Sequence, residues 1–177
     1  MTRANWRVTI VGTMALAFLA TPTLAAQGKA QPTCEGPEHR QFDFWVGDWE
    51  VTGQGGTGGV AGTNLITTTL DGCVLHEHWK GSQGGTGESF NFFDRQTGMW
   101  HQLWIDNRGR PLRFAGRYAE GKLAMKGESQ TSNGNTLHHK LTFTNNPEGT
   151  VRQLWEQSTD GGTTWKVAFD GLYRKRS

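Results

Sequence analysis

The sequence predicts an all-β protein, a single closed antiparallel up-and-down β-barrel of about ten strands with a short N-terminal helix. Short segments in which polar and apolar residues alternate follow one another along the chain, which is typical of strands with one buried face. Turn sequences rich in glycine, asparagine and aspartate separate most of them at hairpin length. No apolar pattern at helical spacing exceeds two turns after residue 26. Closure would remove the two exposed edges of such a meander, and a β-sandwich is the alternative architecture.

The first residues have the composition of a secretory signal peptide. Two arginines open the segment, Val8–Ala20 is a short apolar core, and Thr23–Ala25 is a small-x-small cleavage site. The apolar run is shorter than the roughly 20 residues of a membrane span, and no second hydrophobic segment follows it. We therefore expect residues 1–26 to be removed on export and 27–177 to form one β-barrel domain in the periplasm or outside the cell.

The charge balance argues against two classes of partner. The chain has 18 basic and 16 acidic residues, and two of the basic ones, Arg3 and Arg7, lie in the leader. The remaining chain is close to neutral. We therefore expect neither a nucleic acid nor an anionic membrane surface as a partner, since both require a basic patch.

The two cysteines, Cys34 and Cys73, would both remain in the exported protein. In an oxidising compartment such a pair is expected to form a disulfide that ties the N-terminal segment to the body of the domain. Two unpaired thiols and a metal-binding pair are the alternatives. No CxxC pattern or Cys/His cluster supports a metal.

The predicted elements follow one another without long gaps. The segment Pro37–Val46, "PEHRQFDFWV", predicts a helical turn or two. The predicted strands are Trp49–Thr52, Gly62–Leu70, Val74–Lys80, Ser89–Asp94, Trp100–Asp106, Leu112–Tyr118, Lys122–Glu128, Leu137–Thr144, Val151–Gln157 and Trp165–Tyr173.

The segment Ser158–Trp165, "STDGGTTW", has the pattern Ser-x-Asp-x-Gly-x-Thr-Trp and resembles the Asp-box of sialidases and other β-propeller enzymes. In this motif the aspartate accepts hydrogen bonds across a turn, the glycine adopts a backbone conformation that other residues resist, and the tryptophan packs below. Propellers carry several copies at blade spacing, and this chain has one. The motif therefore predicts a hairpin turn and not a sialidase.

A polar residue stands two positions before a tryptophan in three of the predicted strands. Because residues two apart share a face of a strand, each pair points to the same side. The pairs are Glu77 with Trp79, Gln102 with Trp104 and Gln153 with Trp155, and Ser89 and Asn91 share a face of the fourth strand. This face could be an ordinary filled core. It could also line a small-molecule pocket, since aromatic walls with a few fixed polar groups are typical of ligand sites.

Three histidines are candidate metal ligands. His76 and His78 share a strand face, and His101 could approach from a neighbouring strand. Their face lies opposite the tryptophans and continues into Lys80, so a solvated polar face and no metal site are expected. His139 shares a face with apolar residues and is the better candidate for an internal histidine.

Catalytic motifs are missing from the sequence, which has no Gly-x-Ser-x-Gly elbow, phosphate-binding loop, dinucleotide fingerprint or zinc helix. Glu77 is the candidate catalytic group, as a buried general acid or base with a raised pKa. A carboxylate pair with Asp43 or Asp48 is a further possibility.

The segment "PEHRQFDFWVGDWEV", Pro37–Val51, resembles the opening of a bacterial secreted family of unknown function. Members of that family resemble the calycin barrels of lipocalins and fatty-acid-binding proteins, which open with a Gly-x-Trp, here Gly47 to Trp49. The resemblance implies a closed barrel with Trp49 near its base. The motif positions of the family carry over to Glu77, Trp79, Ser89, Asn91, Gln102, Trp104, Gln153 and Trp155, and the resemblance implies no established activity for them. A more distant similarity to haem-binding nitrobindin barrels implies haem as an alternative ligand, although no histidine matches an axial position.

Taken together, these patterns predict an exported barrel that holds a small, partly apolar ligand in a tryptophan-lined cavity. No cofactor is predicted, and haem is the alternative that the nitrobindin similarity raises. An enzyme that uses Glu77 in the same cavity and a structural protein with a filled barrel are the competing classes. The sequence leaves the oligomeric state open.

Overall fold

A computed structural model describes residues 34–53 and 58–176. These residues form a closed barrel in which ten antiparallel strands pair in chain order and the last strand pairs with the first. The predicted all-β, up-and-down barrel with a short N-terminal helix is confirmed, and the sandwich alternative is wrong. The predicted leader, residues 1–26, lies outside the described residues.

Each predicted strand corresponds to one observed strand, with ends that differ by a few residues. Helix α1 spans Pro37–Arg40. The strands are β1 (Gly47–Gly53), β2 (Val60–Thr69), β3 (Val74–Gly81), β4 (Thr86–Asp94), β5 (Met99–Asp106), β6 (Pro111–Ala119), β7 (Lys122–Gln130), β8 (Thr136–Asn145), β9 (Val151–Ser158) and β10 (Lys166–Lys175).

The N-terminal helix is shorter than the predicted Pro37–Val46. The backbone leaves the helical region at Phe42, with φ −109° and ψ 4°, and resumes as a 3-10 turn over Asp43–Trp45. This break lets the rings of Phe42 and Trp45 stack with centroids 4.9 Å apart. Local helix propensity is therefore overridden by packing against the barrel. No helix among the described residues is long and apolar enough to cross a membrane.

An aromatic plug, defined here as Phe42, Trp45 and Trp49, closes one end of the barrel. All three side chains are fully buried. The ring of Trp45 lies 4.7 Å from that of Phe143 on β8, and the Trp49 indole donates a hydrogen bond of 2.8 Å to the Trp45 carbonyl. Trp49 thus lies where the N-terminal segment meets β1, the position that the resemblance implied.

A disulfide between Cys34 and Cys73 joins the segment before α1 to the turn between β2 and β3. The predicted disulfide is therefore confirmed, and neither cysteine is free. Arg40 bridges the same two segments, because its guanidinium donates to the carbonyls of Cys34 and Gly72. The N-terminal segment is thereby fixed to the plugged end.

The Ser158–Trp165 segment forms the turn between β9 and β10, as its sequence predicts. Asp160 accepts hydrogen bonds from the Ser158 hydroxyl and from the amide and hydroxyl of Thr164, and these bonds hold the pKa of its carboxyl well below the usual range. β10 begins at Lys166 and not at the predicted Trp165, because the Trp165 indole turns back to the Gly162 carbonyl at 2.9 Å.

Removal of the disulfide should destabilise the barrel without changing its topology. The two cysteines are 39 residues apart, and closing a loop of that size stabilises a fold by about 3 to 4 kcal/mol through the unfolded state. The double variant Cys34→Ser, Cys73→Ser should lose this amount in urea unfolding. A loss below about 1 kcal/mol would contradict the chain-entropy account.

Candidate ligand-binding site

The three polar–tryptophan pairs lie on the inner face of the barrel. They come from β3, β5 and β9, and alternation along each strand directs both members of a pair inward. The tryptophans lie near the strand ends that are remote from the aromatic plug, and the polar residues lie one layer deeper. One end of the interior is therefore filled with aromatic rings, and the other carries the predicted site residues.

A cavity of about 200 Å³ lies between these residues. Its lining is Glu77, Trp79, Gln102, Trp104, Leu112, Phe114, Leu141, Gln153, Trp155, Ala168, Phe169 and Tyr173. Six of the eight predicted site residues are in this lining. Ser89 and Asn91 are not in the lining, but both are buried and hydrogen-bonded to lining residues, Ser89 to Glu77 and Asn91 to Gln102. The polar lining residues Glu77, Gln102, Gln153 and Tyr173, with the buried polar side chains hydrogen-bonded to them, are called the cavity floor below.

Two glycines make room for the tryptophan walls. The rings of Trp104 and Trp79 lie over Gly87 on β4 and Gly62 on β2. A Cβ atom at Gly62 would lie 2.8 Å from the Trp79 ring, and one at Gly87 would overlap the Trp104 ring. The ring of Phe169 packs edge-on to Trp79 with centroids 5.9 Å apart. The indoles can therefore lie against the barrel wall and leave the centre open.

The cavity communicates with a wider mouth. Trp79, Trp104 and Trp155 line both the cavity and a cleft of about 650 Å³ at the rim. This rim includes the β5–β6 turn, where Arg110 makes a close ion pair with Asp106 at 2.6 Å. A molecule would reach the cavity from this end, since the plug closes the other.

A chain of hydrogen bonds beneath the cavity ends at Glu77. The amide nitrogen of Gln102 donates to Asn91 at 2.8 Å, Asn91 donates to the Ser89 hydroxyl at 2.8 Å, and Ser89 donates to Glu77 Oε2 at 2.5 Å. From the other side, the Asn64 amide nitrogen donates to Glu77 Oε1 at 2.7 Å. Both carboxylate oxygens are therefore acceptors for neutral donors.

A second branch reaches across the floor to β9. Asn64 also donates to the Tyr173 hydroxyl at 3.3 Å, and that hydroxyl donates to the side-chain oxygen of Gln153. Asn64 and Tyr173 were not among the predicted site residues. Alternation places both inward, so periodicity could have found them. The pairs of a polar residue and a tryptophan two positions later did not include them, because Ile66 follows Asn64 at that spacing and Lys175 follows Tyr173.

Burial dominates the electrostatics of the floor. Glu77 is 4% exposed, and desolvation raises the pKa of its carboxyl to about 7, against the opposing effect of the hydrogen bonds from Ser89 and Asn64. Burial, and then the nearby Glu77 charge, raise the pKa of the Tyr173 hydroxyl well above its usual value. At neutral pH Tyr173 is therefore protonated, and Glu77 is the titrating group of the lining.

His139 is the internal histidine that the sequence predicted, and it is 2% exposed. Its Nδ1 accepts a hydrogen bond of 3.1 Å from the Trp155 indole, so the ring is neutral and Nε2 donates to the Ser129 hydroxyl at 2.8 Å. Burial, and then His138, lower its pKa. His139 thus holds the Trp155 wall in place.

None of the six histidines of the sequence is placed to be an axial ligand of a haem in the cavity. An axial ligand needs a free imidazole nitrogen that faces the cavity. Both nitrogens of His139 have protein partners, and His39 lies beside the plugged end, where its Nε2 accepts from Arg95. The remaining four, His76, His78, His101 and His138, lie on strand faces opposite the interior.

The outer histidines do not form the grouping that the sequence suggested. His76 and His78 lie against Glu88, with nitrogen–oxygen distances of 2.9 and 3.5 Å. His101 lies apart from them, stacked on Phe92 and near Asp94. This outer face is polar and combines carboxylate–imidazole contacts with stacked aromatic rings.

The suggested carboxylate pair also does not form. Asp43 lies near the plug, 3.4 Å from the Arg40 guanidinium. Asp48 is half exposed and pairs with Arg176 at 3.2 Å. Neither aspartate lines the cavity, and among the residues that the structure describes Glu77 is the only carboxylate in the lining.

No known family model matches the sequence, and no curated protein matches it.

The raised pKa of Glu77 predicts how stability depends on pH. A carboxyl that titrates at about 7 when folded and 4.5 when unfolded keeps its proton longer in the folded state, so stability falls as the pH rises from 4.5 to 7. Glu77→Gln lacks this loss. The free energy of unfolding of the Glu77→Gln variant, minus that of the unmodified protein, should therefore rise by about 3 kcal/mol between pH 4.5 and pH 8.

Urea unfolding across this pH range measures the difference. Comparison of the two curves cancels the titration of His39 and His139, whose pKa values are lowered by burial. Glu50→Gln, which changes an exposed carboxylate on β1, is the matched control and should give a flat difference. A flat difference for Glu77→Gln as well would refute the raised pKa.

Proposed function

We propose that this protein is an exported small-molecule-binding β-barrel that holds a partly apolar ligand in its tryptophan-lined cavity. The observation that carries the proposal is a cavity open at one end, with aromatic walls and a floor of ordered polar groups. A barrel that served only as a filled structural core would leave no such space.

The cavity has the size and chemistry of a site for a small ligand. Pockets for drug-sized molecules measure about 300 to 1,000 Å³, so a cavity of about 200 Å³ suits a smaller one. Gln102 uses its amide nitrogen within the protein and Gln153 uses its amide oxygen. The Gln102 amide oxygen and the Gln153 amide nitrogen have no protein partner among the described residues, and both can orient a ligand.

Export is part of the proposal. The leader and its cleavage site support it from the sequence, and the Cys34–Cys73 disulfide fits an oxidising compartment. The resemblance of Pro37–Val51 to the calycin-like secreted family points in the same direction.

An enzyme is the second candidate, favoured by one observation. Glu77 faces the cavity with a pKa of about 7, which is the range in which a general acid or base works best at neutral pH. The other titratable group of the lining is Tyr173, which stays protonated. Any proton transfer would therefore depend on Glu77 alone, and Glu77→Gln would abolish turnover in an enzyme but only weaken affinity in a binder.

Native mass spectrometry of the protein purified from a bacterial periplasm tests the proposal. We expect a stoichiometric extra mass, and a visible spectrum taken on the same sample separates haem, with its Soret band, from other ligands. A clean apo mass at every protein concentration would count against tight binding.

Trp104→Ala should lower the fraction of protein that carries the extra mass at least about tenfold, since truncation removes one wall of the cavity. The barrel should stay folded, because Trp104 is only half-buried. Trp165→Ala is the matched control, since Trp165 lies on the β9–β10 turn outside the cavity. Unfolding of the Trp104 variant would instead favour a plain core role for this ring.

A further inference from the structure

We propose that the ligand is a small organic cation, whose positive group lies between the Glu77 carboxylate and the faces of Trp79, Trp104 and Trp155. This inference rests on the proposed binding function and names the chemical class of the ligand. It is argued from the charges of the lining, the direction of the hydrogen bonds and the aromatic walls.

The cavity holds a carboxylate without a cation. Among the twelve lining residues there is no lysine, arginine or histidine. Among the described residues, Glu77 accepts hydrogen bonds from the side chains of Asn64 and Ser89, which are both neutral. A buried charge is stable only when an opposite charge or several hydrogen bonds compensate for it. Glu77 has the hydrogen bonds but lacks the opposite charge.

The hydrogen bonds are arranged for the ionised form. Along the chain from Gln102 through Asn91 to Ser89, every donor points toward Glu77, and Asn64 donates from the opposite side. Successive bonds with one direction polarise each other and strengthen the last one. These hydrogen bonds therefore favour negative charge at Glu77 and oppose the larger cost of its burial, at the base of an otherwise apolar space.

The walls supply the second half of a cation site. A cation within about 6 Å of an indole face is attracted by the ring quadrupole, and aromatic cages use this attraction to bind quaternary ammonium groups. The protein's own cations occupy two indoles elsewhere, with Lys140 3.8 Å above Trp165 and Lys175 4.3 Å above Trp49. Within residues 34–53 and 58–176, no such contact involves the three wall tryptophans.

The charges at the rim of the cavity do not select for a cation. Arg108 and Arg110 lie at the rim, and Asp106 neutralises Arg110 through a two-pronged contact. Long-range attraction of a cation is therefore weak, and recognition depends on contact with Glu77 and the indoles. The preferred ligand is a primary or quaternary ammonium with a few carbon atoms, in keeping with the small cavity.

Isothermal titration at pH 8 with two probe pairs tests this assignment. Choline is compared with 3,3-dimethyl-1-butanol, which has the same shape with carbon in place of nitrogen. 2-Phenylethylammonium is compared with propylbenzene, its neutral hydrocarbon counterpart with a methyl group in place of the ammonium. The protein is the exported chain with its disulfide, dialysed free of any copurified mass. At least one cation should bind ten times more tightly than its neutral counterpart.

Glu77→Gln separates charge recognition from shape recognition. It should lower the affinity for the cation far more than that for the neutral probe and so remove the preference, because the amide has the shape of the carboxylate without its charge. Glu88→Gln, on the outer face, is the matched control and should keep the preference. Trp104→Leu, which keeps an apolar wall but removes the indole, should weaken the cation more than the neutral probe.

Two results overturn the proposal in distinguishable ways. Equal or tighter binding of the neutral probes shows that the ligand is uncharged and leaves the binding function standing. If neither cation binds, the cation assignment is wrong. The extra mass in native spectra then decides whether the binding function is also wrong.

Discussion

Closure of the sheet is the constraint on which the rest of the structure depends. β1 pairs with β10 over five residue pairs, from Trp49 opposite Lys175 to Gly53 opposite Gly171. This pairing turns a ten-stranded meander into a tube without free edges. A closed tube has a fixed interior volume that side chains must fill or leave open. The aromatic plug fills one end, and the other end is left to shape a cavity.

The floor of that cavity carries an arrangement that weakens the fold. A carboxylate at full burial, with neutral donors as partners, is less favourable than an apolar residue of the same size. Proteins retain such groups where function depends on them. The converging chain from Gln102 to Glu77 is the compensation that the protein supplies, and it holds the group in one orientation. The Glu77 carboxylate still lacks an opposite charge among the described residues, and a bound molecule can supply one.

Alternation along the strands was enough to predict the barrel and the inward direction of Glu77, Trp79 and Trp104, because a period of two fixes the face of every residue in a strand. It could not predict depth along the axis, which depends on the stagger between neighbouring strands. Ser89 and Asn91 therefore lie below the cavity instead of in its lining. Tyr173 falls outside the predicted site because an inward aromatic ring predicts core, whereas its hydroxyl takes part in the hydrogen bonds of the floor. The break at Phe42 comes from packing that local propensity does not report.

The two glycines beneath the indoles have a consequence for how such a site changes over evolutionary time. Gly62 and Gly87 determine how far Trp79 and Trp104 can lie back against the wall. A methyl group at either position would press on the ring and also on a carbonyl oxygen of the neighbouring strand, that of Lys80 beside Gly62 and that of Ile105 beside Gly87. The same two positions therefore hold both the depth of the indoles and the spacing of the strands, while Glu77 carries the charge of the floor. The width of the site is thus tied to the integrity of the barrel wall, and over evolutionary time it resists change at these positions more than the charge does at Glu77.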